Sequence, residues 1–82
     1  LDAYVKRRTP LALGRFSRRV ERVNVALSRE NGPNGGMVKT CCFRFRLLGL
    51  PAVVIKQADF DLRSAIDRAV NRIGCALAIR LL

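Results

Sequence analysis

The strongest constraint on the fold is a run of turn-forming residues, ENGPNGG at positions 30–36, between two alternating segments. In residues 22–29, Val23, Val25 and Leu27 alternate with polar or small residues, and residues 37–48 alternate in a similar way. Because successive side chains of a strand point to opposite faces, each segment predicts a strand with one apolar face. The intervening Gly, Pro and Asn residues predict a mobile hairpin loop, which makes the two strands antiparallel.

The second strand of this hairpin carries different chemistry on its two faces. Phe43 and Phe45 lie on an apolar face, whose neighbours predict packing in the core rather than stacking on RNA bases. Arg44 and Arg46 lie on the other face, where two interpretations stay open. They contact RNA from an open sheet face, or they are charges that protect the sheet from pairing at its edge. The apolar face consists of Met37, Cys41, Phe43, Phe45 and Leu47, interrupted by Lys39, and the other of Thr40, Cys42, Arg44 and Arg46.

Two helices are predicted, one at each end of the chain. The first covers residues 1–16, where Pro10 either kinks the helix or divides it into two short pieces. After a turn at 49–51 and a third strand at 52–57, Asp59 or Asp61 caps a last helix that runs to about Leu82. The core stripe of this helix consists of Leu62, Ile66, Ala69, Ile73, Leu77 and Leu81.

The order helix, three antiparallel strands, helix predicts an α+β fold. Both helices are amphipathic, so they can cover one face of a mainly antiparallel sheet and form two layers. Residues 1–82 are expected to form a single domain, because a chain of this length makes one small domain at most.

The charge of the chain indicates an anionic partner. Lys and Arg number 16 against 6 Asp and Glu, giving a formal net charge of +10. Arginine accounts for 13 of the 16, and its planar guanidinium suits phosphate oxygens. Nucleic acid is therefore the leading class of partner, ahead of an acidic protein or an anionic membrane surface. A solvated basic surface without a partner is the simplest alternative.

Other function classes find little support in the composition. The chain has no His, which excludes His-based acid–base catalysis and His metal sites. Its three cysteines, Cys41, Cys42 and Cys75, have no CxxC spacing, which argues against a zinc site or a disulfide framework. The carboxylates of Asp59 and Asp61 are explained by helix capping. We therefore predict no catalytic residue, no metal, no cofactor and no enzymatic activity. No apolar run approaches the roughly 18 residues of a membrane span, so no membrane-spanning segment is expected. An anionic membrane surface ranks below nucleic acid, and we predict no membrane partner.

Several pieces of the sequence together resemble a known family. They are the NGPNGG hairpin, Lys39 and Cys41 after it, the pattern D-L-x-x-A-I-D at 61–67, and LDAYVKRR at the start. In this order and spacing they resemble the ribosome hibernation-promoting factor and ribosome-associated inhibitor family, also called sigma-54 modulation proteins. The resemblance covers nearly the whole chain and points to the N-terminal domain of these proteins.

The resemblance implies a β-α-β-β-β-α fold similar to a double-stranded-RNA-binding domain. This chain begins inside the first helix of that order, so the first strand of the family is missing from it. That strand would pair beside residues 22–29. An exposed edge there invites pairing with another chain, and a homodimer through this strand edge is an expected partner arrangement.

The resemblance also implies a function in ribosome hibernation, a form of translation regulation under stress. Family members bind 16S rRNA of the small ribosomal subunit near the decoding site and occlude mRNA and tRNA in the cytoplasm. Arg8 matches a basic position in the family's first helix and Arg72 one in the second. The charge pattern adds other arginines near these helices, and the predicted rRNA-binding set is Arg8, Arg72, Arg7, Arg15, Arg18, Arg19 and Arg68.

Two alternatives remain beside this function. Leu11, Cys75 and Ile79 stand where relatives often carry a basic residue. This departure motivates a degenerate paralogue that acts as a protein–protein interaction module. The similar architecture motivates a general double-stranded-RNA-binding domain, which would bind any A-form duplex as well as it binds a ribosome.

Overall fold

A three-stranded antiparallel sheet with one long helix packed on it forms the body of the chain. The structure is a computed structural model and describes residues 2–82. Leu1, the first residue of the predicted first helix, lies outside the described residues. The elements are α1 (Asp2–Leu13), a 3-10 helix (Gly14–Arg19), β1 (Val20–Asn31), β2 (Met37–Leu47), β3 (Val53–Asp59) and α2 (Leu62–Leu81). The α+β class and the predicted order of elements are confirmed.

The hairpin of β1 and β2 is longer than the alternation predicted. β1 extends two residues beyond the predicted 22–29 at each end, because Glu30 and Asn31 still pair with Val38 and Met37. The loop is therefore confined to residues 32–36. It is closed by the Gly32 N–H, which donates to the Gly36 carbonyl at 2.6 Å. Gly35 takes a φ of +81°, a conformation that a side chain would oppose.

β2 is the central strand, and its two faces differ as predicted. Cys41, Phe43 and Phe45 are completely buried, with the two Phe rings stacked at a centroid distance of 5.8 Å. Their assignment to the core is confirmed, because rings without solvent contact offer no platform for RNA bases. Arg44 and Arg46 are exposed on the opposite face. β3 pairs with the other side of β2, with Ile55 opposite Phe43.

Thr40 departs from the predicted pattern, because it lies on the polar face and is nonetheless buried, with 2% of its surface exposed. An ion pair between Glu30 on β1 and Lys56 on β3, at 3.6 Å, crosses the same face of the sheet. In the strand register, Glu30 lies opposite Val38 and Lys56 lies opposite Cys42. Thr40 lies between Val38 and Cys42 on the same face of β2, so the Glu30–Lys56 ion pair spans it. The Thr40 hydroxyl has no hydrogen-bond partner among the described residues.

α2 begins at the second of its two predicted caps. The Asp61 side chain accepts hydrogen bonds from the Ser64 N–H and hydroxyl, while Asp59 accepts one from the Asp61 N–H. The predicted core stripe is confirmed. Its central residues Ile66, Ala69, Ile73 and Leu77 are completely buried, and its end residues Leu62 and Leu81 are partly buried.

α1 is shorter than the predicted helix of residues 1–16. It ends at Leu13 because Gly14 takes a φ of +52°, and a 3-10 helix follows in place of a further α-helical turn. Division of the helix at Pro10 is wrong, since the α-helix continues through this residue. The Thr9 hydroxyl just before it donates to the Val5 carbonyl at 2.7 Å.

The two helices do not share the sheet equally. α2 packs on β2 and β3, whereas α1 packs mainly on α2. An apolar groove of about 440 Å³ is left between α1 and β1, lined among others by Val5, Leu13, Val23, Val25 and Leu27. Among residues 2–82, β1 pairs only with β2, so in this part of the chain the other side of β1 is a free edge beside the groove. Within residues 2–82, no helix is both long and apolar enough to cross a membrane.

The cap of α2 leads to a pH-dependent prediction. Hydrogen bonds from Ser64 hold the pKa of Asp61 below its usual 3.8, because they stabilise the carboxylate. The stabilisation is therefore present above the unfolded-state pKa and is lost as pH falls through the lower folded-state pKa. We expect Asp61→Ala to lower the melting temperature at neutral pH by about 4–8 °C, as for the loss of an N-cap in a small domain.

Asp61→Ser is the matched control, because serine keeps a capping oxygen without the charge. It should retain most of the stability but lose the acid-dependent part. Thermal melts of the three proteins from neutral to acidic pH test this. Equal melting temperatures for the wild type and Asp61→Ala at neutral pH would contradict the capping role.

Candidate nucleic-acid interface

The seam between α1 and α2 is closed by three polar side chains. Arg8 donates from Nη1 to the Tyr4 hydroxyl at 2.6 Å and to Asp67 Oδ1 at 2.9 Å. The Tyr4 hydroxyl donates in turn to Asp67 Oδ1. The side chains of Arg8 and Asp67 are 33% and 40% exposed, so water partly screens their ion pair. These contacts link residues about sixty positions apart and fix α1 against α2.

Three arginines surround the Tyr4 ring at this seam. The guanidinium carbon of Arg63 lies 4.5 Å from the ring centroid, that of Arg8 5.5 Å and that of Arg7 5.9 Å. The electron-rich face of an aromatic ring attracts such cations. Asp67 is the one carboxylate bonded to this group among the described residues, so the seam keeps an excess of positive charge. We call Tyr4, Arg7, Arg8, Arg63 and Asp67 the seam cluster.

Arg8 has a structural role that its predicted function did not include. Its Nη1 is occupied by Tyr4 and Asp67, so only the rest of the guanidinium is available to an external phosphate. Arg7 is exposed and forms no ion pair among residues 2–82. Of the two, Arg7 is therefore the freer phosphate ligand, and Arg8 is held in a fixed orientation beside it.

Arg15, Arg18 and Arg19 lie on the 3-10 helix and not on α1. Arg8 and Arg15 are seven residues apart and would share one face of a continuous helix, but Gly14 ends the α-helix between them. Arg15 lies with its guanidinium carbon 5.0 Å from the Phe16 ring centroid. All three arginines are exposed. The Leu48 N–H donates to the Arg19 carbonyl at 3.3 Å, which places this group beside the end of β2.

Arg68 and Arg72 lie on the far flank of α2 from the seam cluster. Arg72 follows Arg63 by nine residues, which at 3.6 residues per turn corresponds to a rotation of about 180°. Arg68 forms an ion pair with Asp59 at 3.6 Å, whereas Arg72 is exposed and has no acidic partner in the described part of the chain. The predicted set is therefore divided among the seam, the 3-10 helix and the flank of α2.

Arg63, Tyr4 and Asp67 are the residues of this surface that the sequence analysis missed. A signal for them existed. Tyr4 and Arg8 are four residues apart, as are Arg63 and Asp67, and residues at this spacing are neighbours on one helical face. The spacing alone could not predict that these two helical faces pack against each other.

Groups that could perform chemistry are scarce on this surface. Burial raises the pKa of the Cys41 thiol to about 11, with a smaller contribution from Cys42, so this thiol stays protonated at neutral pH. Cys75 is an exposed free thiol. No group of three or more His, Cys, Asp or Glu side chains among residues 2–82 is placed to hold a metal ion.

Most of the positive charge has no internal partner. Four ion pairs are formed in the described part of the chain, and they involve Arg8, Arg46, Lys56 and Arg68. The other Lys and Arg side chains are left to solvent or to an external anion. Because these cations lie on several surfaces, the domain can attract a polyanion from more than one direction.

The seam cluster gives a prediction for stability. Asp67→Asn removes the charge that Arg8 contacts, and Tyr4→Phe removes the hydroxyl that bonds to both. Because these groups are partly exposed, we expect each change to destabilise the domain by only about 1 kcal/mol. The two changes should not add, because they share one network, with a coupling of about 0.5–1 kcal/mol. Chemical denaturation of the four proteins of the double-mutant cycle measures this coupling, and additive effects would contradict a shared network.

No protein-family model matches this chain, and no curated protein matches it in sequence. Its function is therefore inferred from the arrangement of its side chains and from the resemblance of its motifs.

Proposed function

We propose that this domain binds 16S rRNA of the small ribosomal subunit near the decoding site and blocks translation by occluding mRNA and tRNA. The observation that carries the proposal concerns the arginines predicted to bind rRNA, on α1, the 3-10 helix and α2. Most of them are exposed and form no ion pair among residues 2–82, namely Arg7, Arg15, Arg18, Arg19 and Arg72. Phosphate contacts of this kind supply most of the affinity for nucleic acid and make binding fall with salt. The resemblance to ribosome hibernation factors gives the ribosome as the target.

The proposed architecture is that of a double-stranded-RNA-binding-like domain in a cytoplasmic protein. The order of α1, three antiparallel strands and α2 is what such a β-α-β-β-β-α fold contains after its first strand. The proposed mechanism consists of binding and steric occlusion, and no covalent bond forms or breaks in it. The seam cluster holds α1 and α2 as one rigid basic body, and rigidity favours binding because little entropy is lost on ordering it. Specificity would come from the shape of the RNA groove more than from reading bases.

Co-sedimentation with purified small ribosomal subunits tests the proposal. We expect binding close to one molecule per subunit at low salt, much weaker binding at high salt, and tighter binding than to a generic RNA duplex. The variant Arg7→Glu with Arg72→Glu should bind at least 10-fold more weakly and lower the salt slope by about 1.4–1.8, the value for two lost phosphate contacts. Neither residue forms an ion pair in the described chain, so the fold should be kept.

The matched control is Arg29→Glu with Arg80→Glu, which changes the charge equally at exposed positions outside the proposed interface. It should bind the subunit far better than the Arg7 and Arg72 variant. Equal losses in both variants would reduce the interaction to net charge. Equal binding of the wild type to subunits and to duplex would instead support the general double-stranded-RNA-binding domain.

A second candidate function is a protein-interaction module, and the free edge of β1 favours it. The backbone groups on the outer side of this strand have no strand partner in the described part of the chain, and the apolar groove beside them can take the side chains of an added strand. The occupant we propose is a single extended protein segment with apolar residues at alternate positions. The homodimer expected from the sequence would pair two copies of the chain along β1. The second copy would then place its own α1 on the same side of the combined sheet.

Size-exclusion chromatography with light scattering, followed by RNA binding, separates these functions. The interaction module predicts that Val25→Lys, which places a charge at the groove, weakens binding of an alternating apolar peptide without changing RNA affinity. Arg29→Glu is the control, because it changes charge on the same strand outside the groove. A stable dimer of the wild type would favour the second copy as occupant. A peptide affinity that Val25→Lys leaves unchanged would count against the groove.

A further inference from the structure

A second basic surface lies on the face of the sheet that no helix covers. Arg22 on β1 is directly opposite Arg46 on β2, and Arg44 is two residues before Arg46, opposite Asn24. Residues two apart on a strand point to the same face, so the three guanidinium groups project together. We call Arg22, Arg44 and Arg46 the sheet-face cluster. None of them belongs to the set predicted to bind rRNA.

The register of the hairpin makes this cluster unfavourable in the free protein. Like charges directly opposite each other on neighbouring strands are destabilising, and Arg22 and Arg46 are such a pair. The nearest compensating charge is Glu21, at 4.0 Å from Arg46, with both side chains more than half exposed. At the other end of the same face, Lys56 is paired with Glu30. The uncompensated charge is therefore concentrated at one end.

The surface around the cluster is concave. The three arginines, Asn24 and the turn between β2 and β3 line a cleft of about 730 Å³, and Glu21 is the one carboxylate in its lining. Arg44 and Arg46 are separated by about 7 Å along the strand, so they can contact neighbouring phosphates of one nucleotide chain. Guanidinium groups bind phosphate oxygens through paired hydrogen bonds, and an anion here would relieve the repulsion within the cluster.

From these observations we propose that the sheet-face cluster binds a second stretch of RNA backbone, so that the domain bridges two RNA segments. The helices that carry Arg7 and Arg72 cover the opposite face of the sheet. The smallest extent of the backbone is 17 Å, so the two surfaces are separated by the thickness of the domain. A single RNA strand could contact both surfaces only by passing around the end of the domain. The inference rests on the proposed function for the first RNA contact but not for the second.

The test uses the variant Arg22→Gln with Arg44→Gln, which leaves the Glu21–Arg46 ion pair in place. Its matched control is Arg29→Gln with Arg80→Gln, which removes the same charge elsewhere. Two short RNA duplexes, one with a donor and one with an acceptor dye, report bridging by energy transfer. We expect the wild type and the control to bring the two duplexes together and the sheet-face variant to bind only one.

Affinity and stability complete the test. The sheet-face variant should lower the salt slope of duplex binding by about 1.4–1.8, the value for two lost phosphate contacts. Its melting temperature should be unchanged or higher, because a like-charge repulsion has been removed. Unchanged bridging and an unchanged salt slope in this variant would overturn the inference. A lower melting temperature together with lost bridging would also overturn it, because the loss would then reflect unfolding.

This outcome is separate from that of the proposed function. Arg7→Glu with Arg72→Glu removes the helix contacts and should also abolish bridging while leaving binding of one duplex at the sheet face. If the domain bridges duplexes but shows no preference for ribosomal subunits, the proposed function fails and the second RNA contact stands. If it prefers subunits but the sheet-face variant behaves as wild type in bridging, the inference fails alone.

Discussion

The rest of the structure depends on the burial of one face of β2 beneath α2. Phe43 and Phe45 on the strand and Ile66 and Ile73 on the helix have no solvent exposure. A domain of this size has a single core, which here lies between the sheet and α2. Most of the apolar surface that folding removes from water is therefore buried at this one interface. β2 is the central strand, so this contact also orders its neighbours on both sides. Because this face of β2 is buried, Arg44 and Arg46 project from the opposite face of the sheet.

Placing both helices on one side of the sheet creates two different charged surfaces. On the helix side, the seam cluster compensates part of the charge internally, since Asp67 contacts Arg8 and the Tyr4 ring lies among three guanidinium groups. On the open side, the sheet-face cluster is opposed by one exposed carboxylate, Glu21. The first arrangement is stable without a partner, whereas the second gains most from an added anion. Some of the positive charge thus holds the two helices together, and the remainder is left to an external anion.

The structure confirms the α+β class and the order of the helices and strands that the sequence predicts. The groove beside β1 is apolar on both walls, with Val5 on the helix and Val25 on the sheet.

The sequence by itself determined the order of the α-helices and strands, the faces of β2 and the core stripe of α2, and it narrowed the cap of α2 to Asp59 or Asp61. These depend on local periodicity and on single residues such as Asp61, which act within a few positions. It did not determine where α1 ends, because the conformation of Gly14 decides whether Arg15 continues the helical face. Nor could it place Tyr4 and Arg63 together, or Arg22 opposite Arg46, because these contacts depend on helix packing and strand register. Local sequence patterns indicate which face of a helix or strand is apolar. Which charged faces lie next to each other is decided only by the tertiary structure.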